Sequence, residues 1–284
     1  MNKYIRLLYI LSFTLFLSAC SSHKTELIVE KDPRSDSKYF CLYDATKYNF
    51  ILDLPEETND APLIFMLHGY GTSAEGFRNT VHLEEAANKL GYAVVYVTGS
   101  VGWNYGVSSD GNDDIGFLTE LADYLQKEFK FDKKRTYAVG YSNGGFMAHR
   151  LAVEAPETFS ACVSVAGKLC GNVWKNKKQK TKVSFLQFTG EKDDVIPKHS
   201  DNSAAHAIDP AIEDVISYYS KLDGLTESET SNIGNCILEK HWSNKSNKQV
   251  WHVFIKEGRH AWPDMAFNKI DTNLLIMEFL ETQK

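Results

Sequence analysis

Positive charge is not in excess in this 284-residue sequence: 31 Lys and Arg stand against 37 Asp and Glu, a net charge of −6. That balance excludes nucleic acid as the main partner, because holding a phosphate backbone requires a basic face. The one basic run, Lys175, Lys177, Lys178, Lys180 and Lys182, is expected to be a solvated loop between two strands. The apolar run Leu7 to Leu17 falls short of the roughly 20 residues a spanning helix needs. Internal repeats and Pro/Gly-rich linkers are missing too, which points to one domain. Cysteine is scarce, at five, and no metal-ligand spacing appears among the cysteines and histidines. What is present is ordinary for a globular chain, with 43% hydrophobic and 24% charged residues.

The first residues form a targeting segment. Lys3 and Arg6 make a positive start, and the short apolar run ends in Leu17-Ser18-Ala19-Cys20. This tetrad resembles a bacterial lipobox, which implies cleavage after residue 19 and acylation of the Cys20 thiol, tethering the chain to a membrane. Ser21 and Ser22 stand where an inner-membrane retention aspartate is common, so the resemblance implies the outer membrane, as a cell-envelope lipoprotein. Residues 20–37, polar and charged, are expected to be a tether, and 38–284 the folded domain. Of the remaining cysteines, Cys162 lies in the apolar run 161–166 and is expected to be a buried thiol. Cys170 and Cys236 lie in polar surroundings, and export to an oxidising compartment makes them the expected disulfide pair.

Along the domain, residues 38–55 suggest an opening hairpin. Continuous apolar runs at 63–67, 92–97, 159–166 and 183–189 have the character of strands buried on both faces. Between them lie helical patterns at 83–90 (stopped by Gly91), 114–130, 146–153 and 211–222, with a last strand at 250–255 and a closing helix at 270–282. Strands alternating with helices predict an α/β fold, a mostly parallel central sheet with helices on both faces.

Gly140-Tyr141-Ser142-Asn143-Gly144 is a G-x-S-x-G run between a predicted strand and a predicted helix, the context of a nucleophile elbow. A serine hydroxyl needs a base and an orienting carboxylate, and in this type of fold they follow it in the order acid, then histidine. Glu191, Asp193 and Asp194 all lie just past the 183–189 strand and are candidates for the acid. His260, past the 250–255 strand, fits the base by position and order; the other eight histidines do not. His68-Gly69-Tyr70-Gly71 follows the first buried strand, where an oxyanion loop belongs. The backbone N–H groups of Tyr70 and Asn143 are the expected donors, with His68 bracing the loop.

These pieces together resemble the polyhydroxybutyrate depolymerase-like esterases, a branch of the α/β-hydrolases that also holds feruloyl and acetylxylan esterases of carbohydrate esterase family one. The matching stretches are Leu67 to Gly71, Asp114-Ile115-Gly116-Phe117-Leu118, Tyr141 to Leu151, Gly190 to Pro197 and His260-Ala261-Trp262-Pro263. The chain departs from the pattern at Tyr141, where leucine is common, at Asp194, where proline is common, and at Asp264, where glycine is common. The resemblance implies an α/β-hydrolase fold, the triad Ser142, Asp193 and His260, and ester hydrolysis with neither metal nor organic cofactor. Trp103, Tyr141 and Trp262 are the expected substrate-facing aromatics. The expected substrate is acylated polysaccharide carrying feruloyl or acetyl groups. Hydroxyalkanoate oligomers are the alternative, and a non-catalytic glycan-binding lipoprotein is the alternative of another class.

Overall fold

The computed structural model describes residues 26–178, 182–198 and 208–284, and in it eleven strands form one sheet. From one edge to the other the strands are β1 (Ile28–Lys31), β2 (Lys38–Tyr43), β3 (Thr46–Asp53), β5 (Ala93–Thr98), β4 (Leu63–Leu67), β6 (Thr136–Tyr141), β7 (Ala161–Val165), β8 (Ser184–Gly190), β11 (Ser246–Ile255), β10 (Cys236–Ser243) and β9 (Glu227–Ile233). The six strands from β5 to β11 are mutually parallel. Antiparallel strands close both edges. The sheet is therefore mixed, with a parallel centre, as the α/β-hydrolase resemblance implied.

Burial explains the composition of the centre. Every residue of β4 and of β7 is buried, and successive side chains alternate between two cores. Leu63, Phe65 and Leu67 join α3 (Asp114–Phe129), α4 (Asn143–Glu154) and α6 (Ile212–Asp223) on one face. Ile64 and Met66 join α1 (Ala74–Val81), α2 (Leu83–Ala87) and α7 (Thr272–Glu281) on the other. A short α5 (Gly171–Asn176), which begins the basic run, packs Val173 into the first core.

Four expectations differ from what the fold shows. The sheet begins at Ile28, inside the expected tether, because β1 pairs with β2 and turns Val29 toward the core. Helix α1 and the edge hairpin β9–β10 lie where no element was expected. The third difference concerns Cys170 and Cys236, which are buried free thiols rather than a disulfide. They belong to different cores, Cys170 with α4 and Cys236 with α7, so the sheet lies between them. The sequence around them is polar, yet the side chains themselves point inward. Fourth, the basic run expected to be a loop opens inside a helix, since Lys175 lies in α5. Residues 1–25, including Cys20, lie outside the described residues, and among those described no helix is long and apolar enough to cross a membrane.

The order of strands places a site. After β5 the chain returns across β4 to form β6, so the connections on either side of β4 leave in opposite directions. In parallel sheets, ligand sites form beyond the carboxyl ends of the strands at such a switch point. Leu67 at the end of β4 lies opposite Gly140 of β6, which sets the 68–71 loop beside residues 141 and 142.

Candidate active site

Strand β6 turns into α4 at Ser142, which takes φ 52° and ψ −114°, a left-handed conformation that non-glycine residues rarely adopt. Such strain is found where the surroundings over-determine it. Here the surroundings are backbone. A Cβ at Gly140 would lie 1.9 Å from the Gly144 carbonyl oxygen, and one at Gly144 would lie 2.0 Å from that of Leu67. Both glycines of the G-x-S-x-G run thus permit a turn so tight that no side chain fits inside it. The Ser142 N–H is satisfied by the Val165 carbonyl at 2.8 Å, leaving Oγ at the sheet's carboxyl edge.

Three loops bring the triad together. Ser142 Oγ lies 2.8 Å from His260 Nε2, and His260 Nδ1 lies 2.9 Å and 3.1 Å from the two carboxylate oxygens of Asp193. With Asp193 ionised and the imidazole neutral, Nδ1–H donates to the carboxylate and Nε2 accepts from the serine hydroxyl. Asp193 Oδ1 also accepts from the N–H groups of Val195 (3.0 Å) and Ile196 (2.7 Å), so the loop itself holds the carboxylate still. The Asp193 side chain is 1% exposed and that of His260 14% exposed. Asp194 faces solvent, and Glu191 instead accepts from the Glu257 N–H. The structure thus selects Asp193 from the three carboxylates left open by spacing alone.

The acid and base loops are built against each other. Ile255 of β11 pairs with Gly190 of β8, and a Cβ at Gly190 would meet the Gly258 carbonyl oxygen at 2.6 Å. Lys192 N–H donates to that same carbonyl at 2.7 Å. The imidazole and carboxylate therefore sit on two backbones in contact, an arrangement that needs glycine at 190.

Asn143 opens α4, so its N–H has no acceptor within the helix and is free to bind an anion at the helix's positive end. The loop carrying Tyr70 lies beside it. Gly69 approaches so closely that an added Cβ would sit 3.2 Å from the Tyr141 ring and 3.5 Å from Ser142 Cβ. His68 braces this loop as expected. Its Nε2 accepts from the Gly99 N–H at 3.0 Å and its Nδ1 donates to the Gly69 carbonyl at 2.7 Å, which fixes a neutral tautomer. Burial lowers the His68 pKa from its ordinary value and keeps that tautomer neutral. His149 behind the elbow is likewise a core group, with burial pushing its pKa down to about 3 and its Nε2 against Gln187.

Trp103 is corrected from its expected role. It is 3% exposed, donates its indole N–H to the His68 carbonyl at 3.0 Å and packs its ring 5.3 Å from the His68 ring, so it offers no platform to substrate. Its segment is held from every side. The Asn143 side chain accepts from Trp103 N–H at 2.6 Å and donates to Trp103 O at 3.3 Å. Buried Asp114 accepts from Asn104 N–H at 2.7 Å and from the Tyr48 hydroxyl at 3.0 Å, while Arg150 donates to Asn104 O. The side chains of Asn143, Asp114 and Arg150 make the wall behind the oxyanion loop, a role that their presence in the matched stretches signalled without explaining.

Tyr141 and Trp262 are half-buried beside the base. Trp262 meets Phe77 of α1 edge-on at 5.6 Å and Tyr141 at 6.4 Å. On the loop beside the elbow Tyr70 is 73% exposed. Among the described residues, one group has metal-ligand spacing, His82, Glu84 and Glu85 at the start of α2. Glu84 there is already engaged by Tyr96 and Arg78, and the group is no part of the triad.

Comparison with known proteins places this geometry. The bifunctional acetylxylan esterase/xylanase XynS20E of Neocallimastix patriciarum is 27% identical over 140 residues, covering 48% of this chain and 20% of that protein. Feruloyl esterase B of Piromyces equi is 25% identical over 215 residues, covering 72% of this chain and 40% of that protein. The chain therefore spans less than half the length of either relative. The solved acetyl xylan esterase of Aspergillus awamori shares the fold, with a TM-score of 0.62 at 12% identity over 90% of this chain and 99% of that one. Residues 45–195, from β2–β3 through the acid loop, match the Esterase family model. On that match, which spans the elbow and its oxyanion loop, the chain belongs to the Esterase family.

Proposed function

We propose that this protein is a serine esterase that removes feruloyl or acetyl groups from polysaccharide, held at the cell envelope through an acylated Cys20. The observation that carries the chemistry is the unbroken relay from Ser142 Oγ through both nitrogens of His260 to Asp193, with every step at 3.1 Å or less. His260 takes the serine proton as Oγ attacks the ester carbonyl, and Asp193 stabilises the imidazolium that forms. The oxyanion of the tetrahedral intermediate is received by the N–H groups of Asn143 and Tyr70, donors fixed in place before charge develops. His260 then protonates the departing alcohol, and water repeats the sequence on the acyl-enzyme. Every step is supplied by side chains and backbone of this chain.

The substrate reading draws on the relatives' activities with acetylxylan and feruloyl esters, and on the mouth. Exposed Tyr70, on the loop beside Ser142, offers an aromatic face suited to a sugar ring or a phenolic acyl group. A panel of methyl ferulate, acetylated xylan and hydroxybutyrate oligomers tests it. The expected result is a kcat/KM at least about tenfold higher on one of the first two than on the oligomers, a difference of about 1.4 kcal/mol in barrier. Preference for the oligomers would overturn the polysaccharide reading while leaving the esterase reading intact. The anchor is checked separately by metabolic labelling with a fatty acid, which is expected in the intact chain and lost in Cys20→Ser; equal labelling of both, or none in either, contradicts it.

A further inference from the structure

Tyr141 stands immediately before the nucleophile, yet its contacts run to the base. Its hydroxyl donates to the backbone carbonyl of His260 at 3.2 Å. Its ring lies 5.5 Å from the imidazole, stacks 6.4 Å from Phe77 and meets Trp262 edge-on. The same ring lies against the backbone of Gly69, where an added Cβ would approach it to 3.2 Å. One side chain therefore touches the elbow, the oxyanion loop and the base loop.

The base loop has need of such a support. Among the described residues, its backbone is bonded to the rest of the fold at Gly258, which accepts from Lys192 N–H, and at Pro263, which accepts from the Thr272 hydroxyl. Between those points Ala261 N–H turns back to Arg259 O within the loop itself. Apart from the imidazole's own bonds, the Tyr141 hydroxyl is what fixes the main chain at residue 260. Burial, and then the charge of Asp193, raise the Tyr141 pKa from its ordinary value, so the phenol stays protonated and remains a donor through the working range of an esterase.

We infer that Tyr141 is a positioning residue of the reaction, a strap from the nucleophile elbow to the base loop that holds the His260 imidazole in line with Ser142 Oγ. This rests on the esterase reading and assigns Tyr141 a role other than substrate contact. Its reach is the acid step as much as the base step. An alkyl alcohol leaves only if His260 protonates it, whereas p-nitrophenolate leaves without a proton. A loosened imidazole therefore penalises alkyl esters more.

The test is Tyr141→Phe, which removes one oxygen and keeps the ring. On methyl ferulate kcat is expected to fall about tenfold with KM changed by less than about twofold, the pattern of an interaction made in the transition state. On p-nitrophenyl acetate the fall is expected to be only about two- to threefold. The melting temperature should stay within a few degrees of wild type, since one partly exposed hydrogen bond is lost. A kcat within about twofold of wild type on both esters overturns the inference. So does an equal loss on both accompanied by a large drop in melting temperature, which would make Tyr141 merely structural. A wild-type protein inactive on every ester would instead overturn the esterase reading, so the two failures are distinguishable.

Discussion

Replacing Ser142 with alanine is expected to lower kcat on p-nitrophenyl acetate by about 10⁶-fold, with the protein still folded. The magnitude follows from the way the three side chains act as a unit. Without Oγ no acyl-enzyme forms, and His260 and Asp193 are left with no proton to take from a serine. The loss is not expected to be total, because the Asn143 and Tyr70 donors and the bound substrate geometry retain some catalysis over water. Stability should change little or improve. Ser142 holds a positive φ that costs energy, but alanine shares that cost, and among the described residues Oγ bonds only to His260. Retention of more than about one per cent of wild-type activity would mean that the nucleophile lies elsewhere.

Asp193→Asn is expected to cost about 10⁴-fold in kcat, and Asp194→Asn no more than about twofold. The size of the first effect comes from a tautomer, and this site dictates which one. Asp193 Oδ1 accepts two backbone N–H groups, from Val195 and Ile196. In the variant the amide's carbonyl oxygen must stay at that position, since an NH₂ there would face two donors. The NH₂ is then forced to the Oδ2 position, 2.9 Å from His260 Nδ1 and nearer to it than the retained oxygen at 3.1 Å. A donor facing Nδ1 drives the ring proton to Nε2, which then points at the serine hydroxyl and cannot accept from it. The fold should be unaffected, so a normal melting temperature with a collapsed kcat is the expected combination. Comparable losses in both variants would contradict the assignment of the acid.

Much of the architecture was legible because the central strands are buried on both faces. Runs such as Leu63 to Leu67 have no polar face to confuse with anything else, and each is punctuated by a turn. The elements that escaped notice lack that signal. Strand β9, Glu227 to Ile233, buries no residue, so its pairing with β10 rests on backbone hydrogen bonds that leave no pattern in composition. Helix α1 has apolar residues at 74, 77 and 81 with correct spacing, but eight residues are too few for a period to stand out. Strand β1 is only four residues long and shows one side chain to the core.

At the site, chain order identified Ser142 and His260, because the elbow and the succession of strands constrain where the partners fall. Choosing among neighbouring carboxylates was another matter. Adjacent residues point in opposite directions, and only the turn that buries Asp193 and exposes Asp194 decides between them. Trp103 shows the limit from the other side. An aromatic among glycines and serines suits a binding platform and a packed buttress equally well, and its neighbours in space, His68 and Asn143, are 35 and 40 residues away in sequence. The expected pairing of Cys170 with Cys236 failed for a similar reason. Local polarity said nothing about which side of the sheet each thiol would occupy.

The most direct measurement is peptide mapping after treatment with a fluorophosphonate, which phosphonylates a serine only where a neighbouring base activates it and donors hold the developing oxyanion. The expected result is one adduct per chain, on the peptide carrying Ser142, with labelling abolished in His260→Ala while the fold is kept. An adduct on another serine, or undiminished labelling of Ser142 when His260 is gone, would contradict the account.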